Sequence, residues 1–192
     1  MSNANWAVVD VETSGTDPAT CRVISIAALA VTDAGVITDS VISLLNPGTD
    51  PGPTHIHGLT REMLTGKPTF KDIAADLTGL LRGRTLVAHN VAFDHSFLAA
   101  EADRAHTDLP TETVMCTVEL ASRLGLGVPS LKLGALAQYY GVTQRRPHDA
   151  LDDAQVLTEI FICTLKSARE NGISLPIRSP HSLPMPTFNA ST

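Results

Sequence analysis

The chain has 192 residues, 43% of them hydrophobic, and this size suits one domain with its own core. Its formal net charge of −6 at pH 7 argues against a protein that holds long nucleic acid through a broad basic surface. No apolar run approaches the ~20 residues that a membrane span needs, and no secretion signal is visible. The three cysteines are scattered without zinc-type pairing, so we expect a cytoplasmic protein with reduced thiols.

The first predicted element is an apolar strand at residues 6–12, whose far end carries Asp10 and Glu12. Residues two apart on a strand share one face, with Cα atoms roughly 6.6 Å apart. Two neighbouring carboxylates at the end of a buried strand repel each other and resist desolvation, so folding alone does not favour them. A divalent cation would offset both costs. The alternative is that the two acids simply end the strand before a turn.

The rest of the chain predicts a hairpin followed by alternating helices and strands. Strands are predicted at 22–31, 36–45, 85–88 and 114–117, and helices at 60–64, 70–81, 92–104, 118–124, 131–140 and from Pro147 to about 170. We therefore predict an α/β fold with a mixed five-stranded sheet flanked by helices, in which strands one, four and five are parallel. The domain is expected at 5–170, with a Pro-rich, irregular extension at 171–192 that is either poorly ordered or docked on the domain.

In this fold Asp10 and Glu12 lie at the carboxyl end of the first strand, where ligands of open α/β sheets usually bind. A further acid, Asp94, falls early in its predicted helix. Phe97 and Leu98 follow it by three and four residues and share its side, so that side is expected to face the core and carry Asp94 inward. The alternative is that Asp94 interacts with the positive end of the helix dipole, which stabilises an acid in the first turn by roughly 0.3–1 kcal/mol.

The last predicted helix begins with two adjacent acids. Asp153 heads its apolar face and is the predicted ligand, whereas Asp152 shares its side with polar residues and is expected to be solvated. His148 would lie about 140° from Asp153 if both were helical. A position on the loop before the helix suits His148 better, although loop histidines are usually incidental. Four acids thus each lie at the end of an apolar face, namely Asp10, Glu12, Asp94 and Asp153. Burying four carboxylates in this way is costly, and a shared metal site would explain why the sequence places them there.

Three separated segments resemble the motifs of the DEDDh 3′→5′ exonucleases, a family that includes the proofreading epsilon subunit of bacterial DNA polymerase III and its stand-alone homologues. They are residues 10–13 (Asp-Val-Glu-Thr), 90–94 (Asn-Val-Ala-Phe-Asp) and 148–153 (His-Asp-Ala-Leu-Asp-Asp). The resemblance covers roughly residues 5–168 and implies a ribonuclease H-like fold. Relatives that use a tyrosine carry it at the position of Asp149, so the histidine subclass is the better match.

The resemblance also implies roles for particular residues. Asp10, Glu12 and Asp153 would hold one Mg²⁺ or Mn²⁺ ion, Asp10 and Asp94 would position a second, and His148 would take a proton from the attacking water. The implied substrate-binding residues, which hold the terminal nucleotide or the backbone around Asp94, are Thr13, Ile56, His57, Leu59 and Asn90. Lys132, Arg145 and Arg146 are further candidates for contacts with substrate phosphates.

The implied activity is metal-dependent hydrolysis at the 3′ end of single-stranded DNA, which releases 5′-mononucleotides in proofreading or repair. One alternative is an RNA-trimming exoribonuclease similar to ribonuclease T or oligoribonuclease, since those enzymes share the acids and the histidine. Another is a non-catalytic module that binds nucleic acid or a polymerase. A DNA polymerase is the expected protein partner, and residues 182–188 faintly resemble a clamp-binding peptide.

Overall fold

The computed structural model describes residues 4–184, which form a mixed α/β fold around one six-stranded sheet. The strands are β1 (Ala4–Thr13), β2 (Val23–Thr32), β3 (Ile37–Leu44), β4 (Thr85–Ala88), β5 (Val114–Cys116) and β6 (Ile177–Arg178). The helices are α1 (Thr54–His57), α2 (Arg61–Leu64), α3 (Phe70–Leu81), α4 (Val91–Ala105), α5 (Thr117–Leu124), α6 (Leu133–Tyr140) and α7 (Ala150–Glu170), with a 3₁₀ turn at Pro180–Ser182. Within residues 4–184, no helix is both long and apolar enough to cross a bilayer.

The sheet has the strand order β3-β2-β1-β4-β5-β6. β1 pairs antiparallel with β2 and parallel with β4, and β4 pairs parallel with β5. The predicted α/β class, the antiparallel hairpin and the parallel arrangement of strands one, four and five are therefore confirmed. Because helices pack on both faces of the sheet, the apolar residues of β1 are buried, whereas Asp10, Glu12 and Thr13 toward its carboxyl end are partly exposed.

The two faces of the sheet carry separate cores. Ala7 and Val9 pack with residues of α3 and α4, while Trp6 and Val8 pack with residues of α5 and α7, including Phe161. This alternation is the two-residue period of a strand. Asp10 and Glu12 continue the Trp6–Val8 face, so they lie on the side of the sheet that α7 covers.

One prediction was wrong: the sheet has six strands rather than five. Met115 and Val114 on β5 pair antiparallel with Ile177 and Arg178, so the segment expected to be irregular supplies the last strand. Two residues are too few to show an alternating pattern, which is why the sequence did not reveal them. Residues 185–192, with most of the clamp-like peptide at 182–188, lie outside the described residues.

Two helices begin later than predicted. α7 starts at Ala150 rather than Pro147, and its N-cap Asp149 accepts the backbone N–H of Asp152 at 3.0 Å. α6 starts at Leu133 rather than residue 131, because Ser130 accepts the N–H of Lys132 in the preceding turn at 3.1 Å. The later start of α7 leaves residues 141–149 as a loop that leads directly to its first turn.

Candidate active site

Four acidic side chains from three elements meet at the carboxyl end of β1. Asp10 and Glu12 come from the strand itself, and Asp153 comes from the first turn of α7, which covers the same face. Asp94 comes from the first turn of α4 on the other face and reaches round the strand end, where its carboxylate accepts the backbone N–H of Val11. Asp94 and Asp153 are only 4% and 7% exposed.

The cluster is electrostatically costly as it stands. Burial, and then the charges of Asp94, Glu12 and Asp153, raise the pKa of Asp10 well above its ordinary value. Burial followed by the charges of Asp153 and Asp94 raises the pKa of Glu12 from 4.5 to about 8. Burial raises the pKa of Asp94 to about 7, although backbone hydrogen bonds oppose the shift.

Asp153 is also affected, since burial raises its pKa while hydrogen bonds from Gln144 and His148 lower it. Among the ion pairs of residues 4–184, none joins any of these four carboxylates to a lysine or arginine. The charge of the cluster is therefore not neutralised by the protein, and this is the condition that a bound cation would relieve.

The donor set fits a divalent ion. Ligand atoms of Glu12, His148 and Asp153 all lie within 4.8 Å of one another, and Asp10 and Asp94 adjoin them in the same cavity. Carboxylate oxygens are the ligands that Mg²⁺ and Mn²⁺ prefer. The His148 imidazole lies at the exposed edge of this group.

His148 lies on the loop before α7 and is exposed. Its backbone has a φ of 66°, in the left-handed region that side chains other than glycine rarely adopt. Its N–H donates to Oδ2 of Asp153 at 2.9 Å, and the Nε2 group of Gln144 donates to Oδ1 of the same carboxylate at 2.6 Å. The loop thus holds Asp153 from both oxygens and places His148 beside it.

The prediction that Asp152 is solvated was wrong. Asp152 is 8% exposed, and its Oδ2 atom accepts the backbone N–H groups of Arg145 at 2.8 Å and Arg146 at 2.9 Å. The loop folds back over the start of α7, so a side chain on the polar side of the helix is covered by backbone. The sequence did offer a signal for this burial, since Asp152 lies in the first turn of a helix that directly follows a loop. Acidic side chains at such positions commonly accept hydrogen bonds from nearby backbone N–H groups.

The candidate site is a cavity of about 380 Å³ at this end of the sheet. It is lined by all five predicted catalytic residues and by three of the predicted substrate-binding residues: Asp10, Glu12, Asp94, His148, Asp153, Thr13, Ile56 and Asn90. His57 and Leu59 are not part of the lining. His57 is buried, and its Nδ1 atom accepts the N–H of Leu59 at 3.0 Å, so the ring braces its own turn.

The segment that carries Ile56 approaches the backbone of Ser14, the residue directly after β1. Gly52 has a φ of +81°, and a Cβ atom there would lie 2.0 Å from the carbonyl oxygen of Ser14. Only glycine fits this contact. It places Pro53 and the exposed Ile56 in the wall of the cavity.

The sequence analysis gave no contact role to the seven other lining residues, among which are His89, Phe93 and Leu133. Phe93 presents a half-buried ring beside Asp94. Burial lowers the pKa of His89 to about 4, and its Nδ1 atom lies 2.9 Å from Oγ1 of Thr117. His89 is thus neutral at physiological pH, and its position directly after β4 was the signal that could have placed it at this edge of the sheet.

The fold and the acidic site together are those of a nuclease with a ribonuclease H-like fold, and comparison with known proteins supports this assignment. The family model described as "Exonuclease" matches residues 7–161. DNA polymerase III subunit epsilon of Treponema pallidum is 33% identical over 171 residues, which cover 87% of this chain and 80% of that protein. The structure of Escherichia coli Exonuclease I in complex with a dT13 oligonucleotide has a TM-score of 0.77 at 18% identity, with 90% of this chain and 43% of that chain covered.

The chain belongs to the exonuclease family, and the predicted resemblance is confirmed. Membership implies dependence on a divalent metal ion, which agrees with the acidic cluster. Some relatives are much longer: the match to the PolC-type DNA polymerase III of Thermotoga petrophila, 31% identical, covers 91% of this chain and 13% of that protein.

Proposed function

We propose that this protein is a 3′→5′ exonuclease that hydrolyses the terminal phosphodiester bond of single-stranded DNA and releases 5′-mononucleotides. The observation that carries the proposal is the set of four carboxylates, unpaired with any lysine or arginine in the described chain, beside a loop histidine in the same cavity. Residues 5–170 would form the catalytic domain. Residues 171–192 would be its extension, in which Ile177 and Arg178 pair with β5.

The proposed metal site holds two divalent ions, Mg²⁺ or Mn²⁺. Asp10, Glu12 and Asp153 would bind one ion, and Asp10 with Asp94 would bind the other. Bound there, the ions would acidify the attacking water and stabilise charge on the phosphate and the leaving oxygen.

The chain's own groups supply the remaining chemistry. His148 takes the proton of the attacking water at an imidazole nitrogen, since the carboxylates are occupied as ligands. Asp153 holds the backbone of His148, so that the base faces the scissile phosphate. Ile56 and Phe93 line the cavity where the terminal base and sugar would lie. Asn90 has a left-handed φ of 73° at the N-cap of α4 and shapes the turn that delivers Asp94.

The choice of DNA over RNA rests on the relatives. The Treponema protein is named as a DNA polymerase III subunit, and one structural neighbour, Escherichia coli Exonuclease I, is titled as a complex with a dT13 oligonucleotide. On the same basis we propose a DNA polymerase as a partner. An RNA-trimming activity would arise from the same five catalytic residues, so direct comparison of substrates decides between the two.

The test is a nuclease assay on 5′-end-labelled single-stranded DNA, duplex DNA and RNA of matched sequence, with Mg²⁺, with Mn²⁺ and with EDTA. We expect a ladder shortened from the 3′ end of single-stranded DNA, with 5′-mononucleotides as product and no reaction in EDTA. Faster cleavage of RNA would reassign the substrate. Binding of DNA ends without any release of nucleotide would identify a non-catalytic module instead.

A further inference from the structure

Glu101 is the least exposed acidic side chain within residues 4–184, at 1%, and the proposed reaction does not use it. It follows Asp94 on α4 by seven residues. Seven residues make almost two full turns of a helix, so the two side chains lie on nearly the same face, roughly 10.5 Å apart along the axis. A carboxylate buried so completely requires bonding partners, and these show what this part of α4 holds.

The main partner of Glu101 is Arg22, which directly precedes β2. Its guanidinium binds the carboxylate as a fork, in which Nε donates to Oε1 at 2.7 Å and Nη2 donates to Oε2 at 2.9 Å. The remaining nitrogen, Nη1, donates to the carbonyl oxygen of Pro47 at 2.7 Å. Oε1 of Glu101 also accepts the backbone N–H of Val23 at 3.1 Å. The pair therefore joins α4 to the start of β2 and to the loop of residues 45–53, which follows β3.

The loop of residues 14–22, between β1 and β2, is held at its base by Arg22. The N–H of Ser14 donates to the carbonyl oxygen of Arg22 at 2.9 Å, and the N–H of Arg22 donates to Oγ of Ser14 at 2.9 Å. Arg22 thus holds the 14–22 loop through its backbone and the 45–53 loop through its side chain.

Arg104 adds a second connection to the 14–22 loop. It lies three residues after Glu101, and its Nη1 atom is 3.6 Å from Oε1 of that carboxylate. Its Nη2 atom donates to the carbonyl oxygens of Pro18 and, at 3.0 Å, of Ala19. Glu101, Arg22 and Arg104 therefore form one connected group, called the clamp below, that ties both loops to α4.

Both clamped loops contribute to the wall of the candidate active site, and the lining residues that they carry or lead to are Gly15, Thr16, Pro53 and Ile56. Stability alone does not require the clamp, since replacing a buried ion pair by apolar residues of similar volume is often neutral or stabilising. An apolar side chain at position 22 could not, however, bond the carbonyl oxygen of Pro47. The bonds that the clamp alone supplies are therefore those that fix the loops.

We propose that Glu101 and Arg22 are positioning residues, which hold the two loops at a fixed distance from Asp94 and so determine how tightly the cavity binds the terminal nucleotide. Neither side chain lines the cavity itself. The proposal rests on the proposed exonuclease function and deepens it, because it assigns the affinity for the nucleotide to a group outside the acidic cluster.

The test is the double variant Arg22→Met with Glu101→Gln, which removes both charges together. Methionine fills the space of the arginine stem, and the glutamine oxygen can still accept the N–H of Val23. For an octathymidylate in Mg²⁺ we expect kcat/KM to fall by about 10–10²-fold, almost entirely through KM, because the loops shift while the acids and His148 stay in place. The Kd of thymidine 5′-monophosphate, measured by calorimetry in Mg²⁺, should rise by a similar factor.

Hydrogen exchange in EDTA gives a readout that needs neither metal nor turnover. Amides of the 14–22 and 45–53 loops should exchange faster in the double variant, and those of α7 should not. Arg22→Lys is a second variant, which keeps the charge pair but lacks the planar fork that reaches Glu101 and Pro47 together. It should raise KM and loop exchange with a smaller change in Tm, and it decides the matter if the double variant does not fold.

Arg178→Met is the matched control. Arg178 also pairs with a glutamate, Glu119, and its side chain is 32% exposed against 26% for Arg22. Neither Arg178 nor Glu119 lines the cavity. KM and loop exchange in this variant should match those of the wild type.

The outcomes separate the positioning role from the activity. A wild-type KM in the folded Arg22 variants, or a fall in kcat at constant KM, would overturn the positioning role while the exonuclease proposal stands. An equal rise of KM in Arg178→Met would overturn it too, since the loss of any ion pair would then suffice. If the wild-type protein hydrolyses no substrate, the proposed function fails, and the exchange rates of the two loops decide the role of the clamp by themselves.

Discussion

The backbone N–H of His148 donates a hydrogen bond to Oδ2 of Asp153 at 2.9 Å, so the proposed base and a proposed metal ligand are joined at the head of α7. The bond uses the main chain of His148 and leaves its imidazole free to face the cavity. Movement of the loop would therefore disturb the histidine and the carboxylate together, while loss of the imidazole alone should not.

The first prediction removes only the imidazole. His148→Asn keeps the backbone N–H that Asp153 accepts, and asparagine tolerates the left-handed φ of 66° at this position. We expect kcat to fall by about 10²–10⁴-fold, the usual contribution of a general base. Mg²⁺ affinity measured by calorimetry should remain close to that of the wild type. His181→Asn, on the exposed 3₁₀ turn, is the control. Near-normal turnover at neutral pH would remove His148 from the mechanism.

The second prediction concerns Asp152, which holds the loop that carries His148. Asp152→Ala removes the acceptor of the Arg145 and Arg146 N–H groups, whereas Asp152→Asn retains an oxygen that can accept both. We expect the alanine variant to lose about 10–10²-fold in kcat with little change in KM, because small misplacement of a reacting group is costly. The asparagine variant should recover most of that loss.

Hydrogen exchange at the Arg145 and Arg146 amides provides the second measurement. Exchange should accelerate in the alanine variant and stay slow in the asparagine variant. Glu159→Ala, an exposed change on the same helix, should alter neither exchange nor kcat. Equal losses in Asp152→Ala and Asp152→Asn would show that the carboxylate acts through its charge rather than through the loop.

The contrast between Asp153 and Asp152 shows what the sequence could predict. Asp10 and Glu12 share a face because a strand repeats every two residues, and Asp94 and Asp153 face inward because apolar residues follow at helical spacing. Regular periods encode these directions. The partners of Asp152 are backbone N–H groups on a loop, and no period encodes the path of a loop.

The same limit explains the other differences. β6 is two residues long and pairs with β5 through its backbone, so no pattern of side chains predicts the strand or its partner. His57, implied as a substrate-binding residue, turns inward because its Nδ1 atom accepts the N–H of Leu59, a local bond that the resemblance does not reveal. Long-range features that depend on side-chain direction in regular elements were predictable, and features that depend on loop geometry were not.

The third prediction tests whether Asp10 serves function at a cost to stability. Asp10→Asn should abolish turnover. In EDTA it should also raise the Tm, because an almost isosteric neutral group relieves the repulsion from Asp94, Glu12 and Asp153. Differential scanning fluorimetry in EDTA measures the change. In excess Mg²⁺ the advantage should shrink or reverse, since the variant loses a ligand. A variant that is inactive and also unfolded would mean that Asp10 has a structural role.

The fourth prediction is a pH dependence with a defined sign. The pKa of Glu12 rises from 4.5 to about 8 on folding, so between these pH values the native state binds more protons than the unfolded state. Stability in EDTA must then fall as pH rises through this window. His89 acts oppositely at lower pH: its native pKa of about 4 lies below its ordinary 6.5, so its effect raises stability as pH increases and is complete above about pH 6.5.

The interval from pH 6.5 to 8 therefore isolates the acidic cluster from His89. In EDTA the Tm should decline across this interval, and saturating Mg²⁺ should remove most of the decline, because a bound cation favours the ionised carboxylates. Glu12→Gln is the matched variant, and it should show a shallower decline in EDTA and a smaller gain from Mg²⁺. A Tm in EDTA that rises from pH 6.5 to 8, or a gain from Mg²⁺ that is equal at both ends, would show that the carboxylates are not held in the costly arrangement on which metal binding depends.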